Sequence, residues 1–433
     1  MKNKLLVILV LLMLIVPIQI AFGLSQNLEV KESKEFEISN INVDISELIL
    51  KINESLLFNY LESLVDIGPR YVGSENCKKA ADYIHDEFEK LGLDVYIDPW
   101  NYPRYKCRNV VATLNGTDSS SDAIFVICAH FDTIGDSPGA NDDGSGIAAM
   151  LSIANILCKY TFNHTIRFVA TSGEEVGIYG ANDYARKAYL RDENIVGVLN
   201  LDTIGYTTEK GGNFCYLLKP ERSSWISSII NELSQTYQEY INLIPLVLNN
   251  RNNDHRAFLN YGYDALQFVQ LSRGDYPYHT PEDKIEKVNF TYLKKVTRLI
   301  FATILELANR PIDVQVRFVT PKEGYLYLFD RPLLRQPKVN ILGRDARGLT
   351  YIIGRTTARI NITTKEEIIS VSYSIDGIAT FSGFFQESPY EWKIKISNDI
   401  FPLTGKHTLG VQVCSSSGKT AYDEMDIYIF STY

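Results

Sequence analysis

The stretch Ala123-Ile124-Phe125-Val126-Ile127-Cys128 is apolar without interruption. That is the pattern of a strand buried on both faces, not of one that alternates between core and water. It runs into Ala129-His130-Phe131-Asp132-Thr133 and then into the turn-forming Pro138-Gly139-Ala140-Asn141-Asp142-Asp143-Gly144-Ser145-Gly146. Beyond the turn, residues 146–157 have a helical texture, and residues 166–171 form another short apolar run. Buried strand, helix, buried strand is the repeating unit of a parallel sheet covered by helices.

The alternation continues outward in both directions. Upstream, Ser74 is suited to cap a helix whose apolar residues Ala81, Ile84, Phe88 and Leu91 fall at spacings of three and four. Gly92 would stop that helix, and a strand at residues 93–97 would follow. Downstream, strand-length runs at 196–201 and 264–269 are joined by helical periodicity at 225–237 and 293–307. The expectation is an α/β unit over residues 51–310, with a mainly parallel mixed sheet flanked by helices. After Arg310-Pro311 the texture changes. Short alternating runs at 314–319, 325–327, 359–363, 369–374, 391–396, 408–414 and 425–429 are separated by turn residues. About seven strands without a helix predict an all-β sandwich over 311–433. It resembles the Ig-like modules appended to secreted proteins, especially at Tyr390-Glu391-Trp392 and Gly405-Lys406-His407-Thr408.

Residues 1–23 place Lys2 and Lys4 before an apolar run from Leu5 to Val16, then Pro17 and a small-residue exit at Ala21-Phe22-Gly23. That order is expected of a cleaved secretory signal peptide, because the run is short for a membrane span of about 20 residues. Export makes the protein secreted or extracellular; a retained segment would keep it at the cell surface. Residues 24–50 read as a linker or short pro-segment, and sequons at Asn53, Asn115, Asn163, Asn289 and Asn361 weakly support export. With 45% apolar and 22% charged residues in 433, the chain has the composition of a folded globular protein. Its formal net charge of −9 argues against a nucleic-acid partner. The six cysteines form no CxxC pair, so neither a thiolate zinc finger nor a disulfide-dense scaffold is indicated. Cys77 with Cys107, or Cys158 with Cys215, are open as pairs, and so are buried free thiols.

Residues that bind metals stand just beyond the carboxyl ends of the expected strands, where open α/β sheets place their sites. His130 offers an imidazole, and Asp132 lies two residues on, placed to orient it. The glycine-rich turn carries Asp142 at a helix start, where an acid also serves as an ordinary cap. Gly173-Glu174-Glu175-Val176-Gly177 follows one strand, Asn200-Leu201-Asp202 ends another, and Tyr278-His279-Thr280-Pro281-Glu282-Asp283 supplies a further imidazole. His85, His164 and His407 read as structural.

The order His, Asp, Glu-Glu, Asp, His resembles the zinc aminopeptidases of the M28 peptidase family. The resemblance runs from about residue 56 to 308. It includes Gly68-Pro69-Arg70-Tyr71-Val72-Gly73-Ser74 and Asn253-Asp254-His255 with Phe258, where Asn253 replaces the family's usual Ser. It implies two Zn2+ per chain, with Asp142 bridging, His130 and Asp202 completing one site, and Glu175 and His279 the other. Glu174 would be the general base toward a metal-activated water, and Asp132 the partner of His130. The implied activity is removal of N-terminal residues from peptide substrates. A carboxypeptidase or dipeptidase would need a cation for the substrate carboxylate, for which Arg256 and Arg273 are candidates. A glutaminyl cyclase is less favoured because the Asp-Asp-Gly-Ser-Gly turn is retained, and a noncatalytic adhesion protein because every ligand type is. The interval 108–122 leaves no room for a large insert, so loops 206–216 and 249–254 are expected to control access. Phe131, Tyr206, Phe214 and Tyr276 would line an apolar pocket or simply pack. Cell-surface or polymer contact is the default expectation for the β-domain.

Overall fold

The computed structural model describes residues 45–119, 121–208, 212–219, 223–249, 254–270, 276–310, 314–335, 339–341, 344–346, 350–364, 366–376, 378–394, 405–416 and 420–430. The expected signal peptide, Asn253 and Arg273 lie outside them, as do parts of the two access loops. No helix of the described residues is long and apolar enough to cross a membrane.

Three helices open the described chain: α1 (Ile45–Lys51), α2 (Glu54–Val65) and α3 (Glu75–Lys90). The first lies within the segment expected to be a linker. Ile45, Leu48, Ile49 and Ile52 follow a helical spacing, and the last three are fully buried, so an apolar face of about two turns is enough to dock it on the core. Helix α3 begins as its sequence dictates: the Ser74 side chain accepts from the Cys77 N–H, and Gly92 follows the helix with φ +75°.

Next come β1 (Asp94–Asn101), β2 (Lys106–Leu114), β3 (Ile124–His130), α4 (Gly144–Leu157), β4 (Thr165–Thr171), α5 (Tyr179–Leu190) and β5 (Ile195–Leu201). The unit closes with β6 (Phe214–Lys219), α6 (Ser224–Thr236), the single-turn α7 (Gln238–Ile241), β7 (Ile244–Asn249), α8 (His255–Leu259), β8 (Ala265–Val269) and α9 (Phe290–Asn309). The sheet order is β1-β2-β4-β3-β5-β8-β6-β7. Its centre, β4-β3-β5-β8, is wholly parallel, and the antiparallel ladders lie toward the two sides.

Each residue of β3 and β5 is buried, as their unbroken apolar runs require of strands covered on both faces. Helix α4 is buried along nearly its whole length and packs against α2, α9 and β3, so it reads as apolar all round. The chain leaves β3 toward β4 on one side and reaches β5 on the other. That reversal opens a crevice at the carboxyl ends of the strands. Register levels the site: His130 lies opposite Thr171, and Cys128 opposite Asn200. The residues two further on, His130 and Asp202, therefore emerge side by side.

The remainder is all β: β9 (Gln315–Thr320), β10 (Tyr325–Leu328), β11 (Arg331–Arg335), β12 (Val339–Ile341), β13 (Arg344–Ala346), β14 (Thr350–Ile353), β15 (Thr356–Thr363), β16 (Ile368–Ile375), β17 (Ile378–Phe385), β18 (Trp392–Ile394), β19 (Gly405–Ser415) and β20 (Thr420–Phe430). That is more strands than the alternation suggested, since 331–335 and 350–353 are short and 378–385 lacks clear alternation. One sheet runs β11-β10-β14-β20-β19-β16-β17 and another β18-β15-β9. Val316, Ala358 and Ile394 of the smaller sheet share one core with Tyr373, Val411 and Ile427 of the larger, which makes a two-sheet sandwich. Lys322 Nζ lies 2.9 Å from Asp192, and the Arg317 guanidinium sits over the Tyr263 ring. The sandwich thereby packs at the amino-terminal ends of the parallel strands, away from the crevice.

Candidate metal centre

Five side chains converge where β3, β4, β5 and the loop after β8 meet. His130 Nε2 stands 3.4 Å from Asp142 Oδ1 and 3.9 Å from Asp202 Oδ1. His279 Nε2 stands 3.3 Å from Asp142 Oδ2 and 2.9 Å from Glu175 Oε2. The two carboxylate oxygens of Asp142 thus face two different trios, and the donor atoms within each trio lie within 4.8 Å of one another. Ligands held about 2.0–2.2 Å from a tetrahedral zinc ion are themselves about 3.3–3.6 Å apart, so the spacing fits that ion. Two imidazoles with carboxylates are also a donor set that zinc accepts. No hydrogen bond of ordinary geometry reaches Asp142 Oδ2, although the atom is buried; an open acceptor of this kind is what a cation would satisfy.

Acids that do not belong to either trio hold the trios in place. Asp132 was expected to orient His130, and its backbone oxygen lies 3.1 Å from His130 Nδ1 with the carboxylate at 3.6 Å. That same carboxylate accepts the main-chain N–H groups of Glu174 and Glu175, at 3.2 and 3.3 Å, so it also fixes the Glu-Glu turn. Asp143 caps α4 by accepting the Gly146 N–H, and it further accepts the N–H groups of His130 and Thr203. One buried carboxylate thereby ties three site-bearing segments. Asp283 receives the N–H groups of Asn141 and Asp142 at 2.8 and 3.1 Å, together with the Tyr276 hydroxyl. Gln267 on β8 donates to Asp202 Oδ2 at 3.0 Å.

Arg70 is wholly buried, and its guanidinium donates to the carbonyls of Phe131, Pro138 and Gly139 at 2.7, 2.6 and 2.9 Å. Gly139 has φ +60°, and a Cβ there would meet Thr133 at 2.2 Å, so the turn accepts only glycine. The peptide bond between Asp142 and Asp143 is cis.

The crowding of buried acids shows in their proton affinities. Burial, reinforced by Asp254, Asp202 and Asp132, pushes Glu174 up to about 9 against the pull of His130. Burial and Asp142 push Glu175 up to about 7. Asp142 goes the other way: burial alone would raise it, but the two imidazoles hold it at about 2. His130 is raised well above its usual range because Asp132 and Asp142 outweigh its burial. Excess buried negative charge of this sort is relieved by cations.

All five expected ligands, with Glu174 and Asp132, are brought together. Asp143, Asp283 and Gln267 were not anticipated; Asp143 and Asp283 stand within the quoted motifs, but a carboxylate's partners cannot be read from its neighbours in the chain. Phe131 is fully buried in the core, so it packs and does not line an access pocket. Tyr206 and Tyr276 do pair, with ring centroids 4.7 Å apart, and Tyr278 stacks on the His279 ring. His164 is held between Ser121 and the Arg310 carbonyl, and His407 by Asp376, as structural histidines should be. Asp254 lies beneath the site and accepts from the Thr171 hydroxyl.

Residues 109–304 match the profile described as Peptidase family M28. This segment is similar to the M28 peptidases. A probable zinc metalloprotease of Pyricularia oryzae is 32% identical over 264 residues, which cover 50% of this chain and 52% of that protein. The aminopeptidase YwaD of Bacillus subtilis is 27% identical over 266 residues, 59% of this chain and 57% of the relative. The chain therefore spans little more than half the length of these two relatives. Among solved structures, LapB from Legionella pneumophila superposes with a TM-score of 0.57 at 24% identity, over 64% of this chain and 77% of that one. The zinc aminopeptidase BSAP from Bacillus subtilis gives 0.52 at 21% identity, over 60% and 96%. These likenesses carry the α/β fold alone.

Proposed function

We propose that the chain is an exported di-zinc exopeptidase that removes N-terminal residues from peptides. The observation that carries this reading is Asp142, which presents one oxygen to each trio with the Glu174-Glu175 turn beside it. His130, Asp202 and Asp142 would hold one ion, and Glu175, His279 and Asp142 the other. Zinc bound there supplies a water whose pKa falls toward 7 and a Lewis acid for the scissile carbonyl. Glu174 is the general base: it takes the proton from the attacking water and returns it to the leaving amine, a transfer worth about 100- to 10,000-fold. Burial among carboxylates raises its proton affinity to about 9; cations held by the two trios would offset that negative charge and lower the affinity. Asp132 keeps His130 oriented and the Glu174 backbone fixed. The names of the relatives, an aminopeptidase and a zinc metalloprotease, support the reaction class.

The test is hydrolysis of aminoacyl reporter amides by the zinc-loaded protein, beside N-acetylated counterparts and the Glu174→Gln variant. Activity confined to free-amine substrates, with the variant retaining zinc but losing at least 100-fold in kcat, is expected. Silence on all amides with turnover of dipeptides or N-terminal glutamine would replace the reading by a dipeptidase or a cyclase. Loss of zinc from Glu174→Gln would remove Glu174 from the role of base. Export is tested by N-terminal sequencing of the secreted chain, expected to begin near Leu24.

A further inference from the structure

Two thiols outside the metal cluster stand against each other. Cys77, in the first turn of α3, and Cys107, on β2, have their sulfurs 3.5 Å apart and unbonded. Cys77 is fully buried and Cys107 half-buried, so an exchanging reagent meets Cys107 first. The other cysteines differ: Cys158 hydrogen-bonds the Asn155 carbonyl, and Cys128 and Cys215 are buried in the core. Of the two pairings open in the sequence, only the first is in place. We propose that Cys77 and Cys107 are joined by a disulfide whenever a low-molecular-weight disulfide is available as oxidant, and that the bond fastens two supports of the metal site.

The location gives the bond its consequence. Beside Cys107, the Arg108 carbonyl accepts the Ser172 hydroxyl at 2.9 Å, and Asn109 Oδ1 accepts the Ser172 N–H at 3.2 Å. Ser172 also receives the Trp100 indole N–H at 3.0 Å, and it leads directly into Gly173-Glu174-Glu175. On the other side, Cys77 follows the Arg70–Ser74 segment, whose Arg70 grips the carbonyls beneath the Asp142 turn. A crosslink between the two therefore spans from the Glu-Glu support to the Asp142 support.

The chemistry balances as two successive exchanges. The Cys107 thiolate attacks one sulfur of the oxidant, forming a mixed disulfide and expelling one thiolate. The Cys77 sulfur, after losing its proton to solvent, then attacks Cys107 Sγ and expels the second, so two protein thiols are oxidised and one disulfide is reduced to two thiols. Closure needs the sulfurs to approach to about 2.05 Å, a shift of the order of 1.5 Å. The direction of attack agrees with acidity: hydrogen bonding from the Cys77 thiol, helped by Ser172 and the Gly73 N–H, overcomes burial and draws Cys107 down to about 6. The same pairing and burial raise Cys77.

The experiment equilibrates the folded full chain with mixtures of oxidised and reduced glutathione, quenches with acid, alkylates in denaturant and maps the peptides by mass spectrometry. The expected map joins the Cys77 and Cys107 peptides and leaves Cys128, Cys158, Cys215 and Cys414 alkylated. Cys77→Ser should leave Cys107 as a glutathione adduct. Closing a loop of about thirty residues should raise the melting temperature of the oxidised protein by roughly 5 °C or more, a difference absent from the Cys77→Ser/Cys107→Ser double variant. Alkylation of both cysteines at every glutathione ratio, or linkage of Cys77 to any other cysteine, would overturn the proposal. Equal melting of the joined and reduced forms would overturn its fastening role.

Discussion

Replacing Asp283 by Asn separates scaffold from ligand most sharply. The Asp283 carboxylate is fully buried and accepts three donors: the Asn141 N–H and Tyr276 hydroxyl at Oδ1, and the Asp142 N–H at Oδ2. An amide keeps one acceptor and presents its NH2 to the remaining donor. With the carbonyl retained toward Asn141 and Tyr276, the orphaned N–H belongs to Asp142, the residue shared by both trios. Losing one charge-assisted bond and leaving that N–H unsatisfied costs about 2–4 kcal/mol of folding stability. Because the loosened peptide carries the carboxylate shared by both trios, zinc affinity should fall about 10- to 100-fold, the range for removing a partner that orients a ligand. Zinc titration of the metal-stripped chain against a fluorescent chelator reads the affinity, and thermal melting reads stability separately. Tyr276→Phe, which keeps both main-chain bonds, should lose no more than about threefold in affinity. A folded Asp283→Asn protein binding both equivalents within twofold of wild type would refute the reasoning.

Further outcomes follow from the same contacts. The metal-free chain should melt at lower temperature as pH rises from about 5 to 9: Glu174 at about 9 and Glu175 and Asp254 at about 7 lie above their unfolded values, so the folded state binds more protons and loses stability as they leave. The raised His130 acts in the same direction, and saturating zinc should flatten the slope; a melting temperature that climbs over this range would contradict the assignment. Arg70→Lys cannot reach three carbonyls with one ammonium, and urea unfolding should show a loss of about 2–4 kcal/mol; a loss under 1 kcal/mol would mean that water replaces the fork. Asp132→Asn should lower kcat about 10- to 100-fold with KM little changed, measured on a free-amine reporter amide, and unchanged kcat would remove Asp132 from the positioning of Glu174.

Much of the α/β unit was legible because its elements carry uniform local signals. Strand β3 is apolar up to His130, helix α4 and strand β5 are mostly apolar, and α3 has a cap, a period and a stop in the right places. The all-β half was less legible. Strands of three to five residues such as 339–341, 344–346 and 331–335 are too short to establish a period, and they are defined by hairpin pairing with the strand next to them in the chain. Helix α1 escaped for a related reason: about two turns with a polar upstream context look like a linker until tertiary packing buries Leu48, Ile49 and Ile52.

The site divides along a similar line. The five ligand positions were named through the resemblance to the M28 peptidases; by residue type alone each was equally open to a cap, a turn or a structural role. What the chain alone could not separate was Asp142 from Asp143, two adjacent acids in one turn, or Asp283 from its neighbour Glu282. The distinction lies in their partners. Asp143 accepts N–H groups from three segments, Asp132 from two residues of the Glu-Glu turn, and Asp283 from two residues of the Asp142 turn, so their lone pairs are committed to the protein. Asp142 Oδ2 faces only an imidazole 3.3 Å away. A carboxylate committed to main-chain donors works as a bracket for the segments it joins, whereas Asp142, its charge held by two imidazoles, keeps one oxygen turned to each trio. The brackets therefore exist to hold the uncommitted oxygens apart at ligand spacing, and the proton affinity of Glu174 follows from being packed among both kinds.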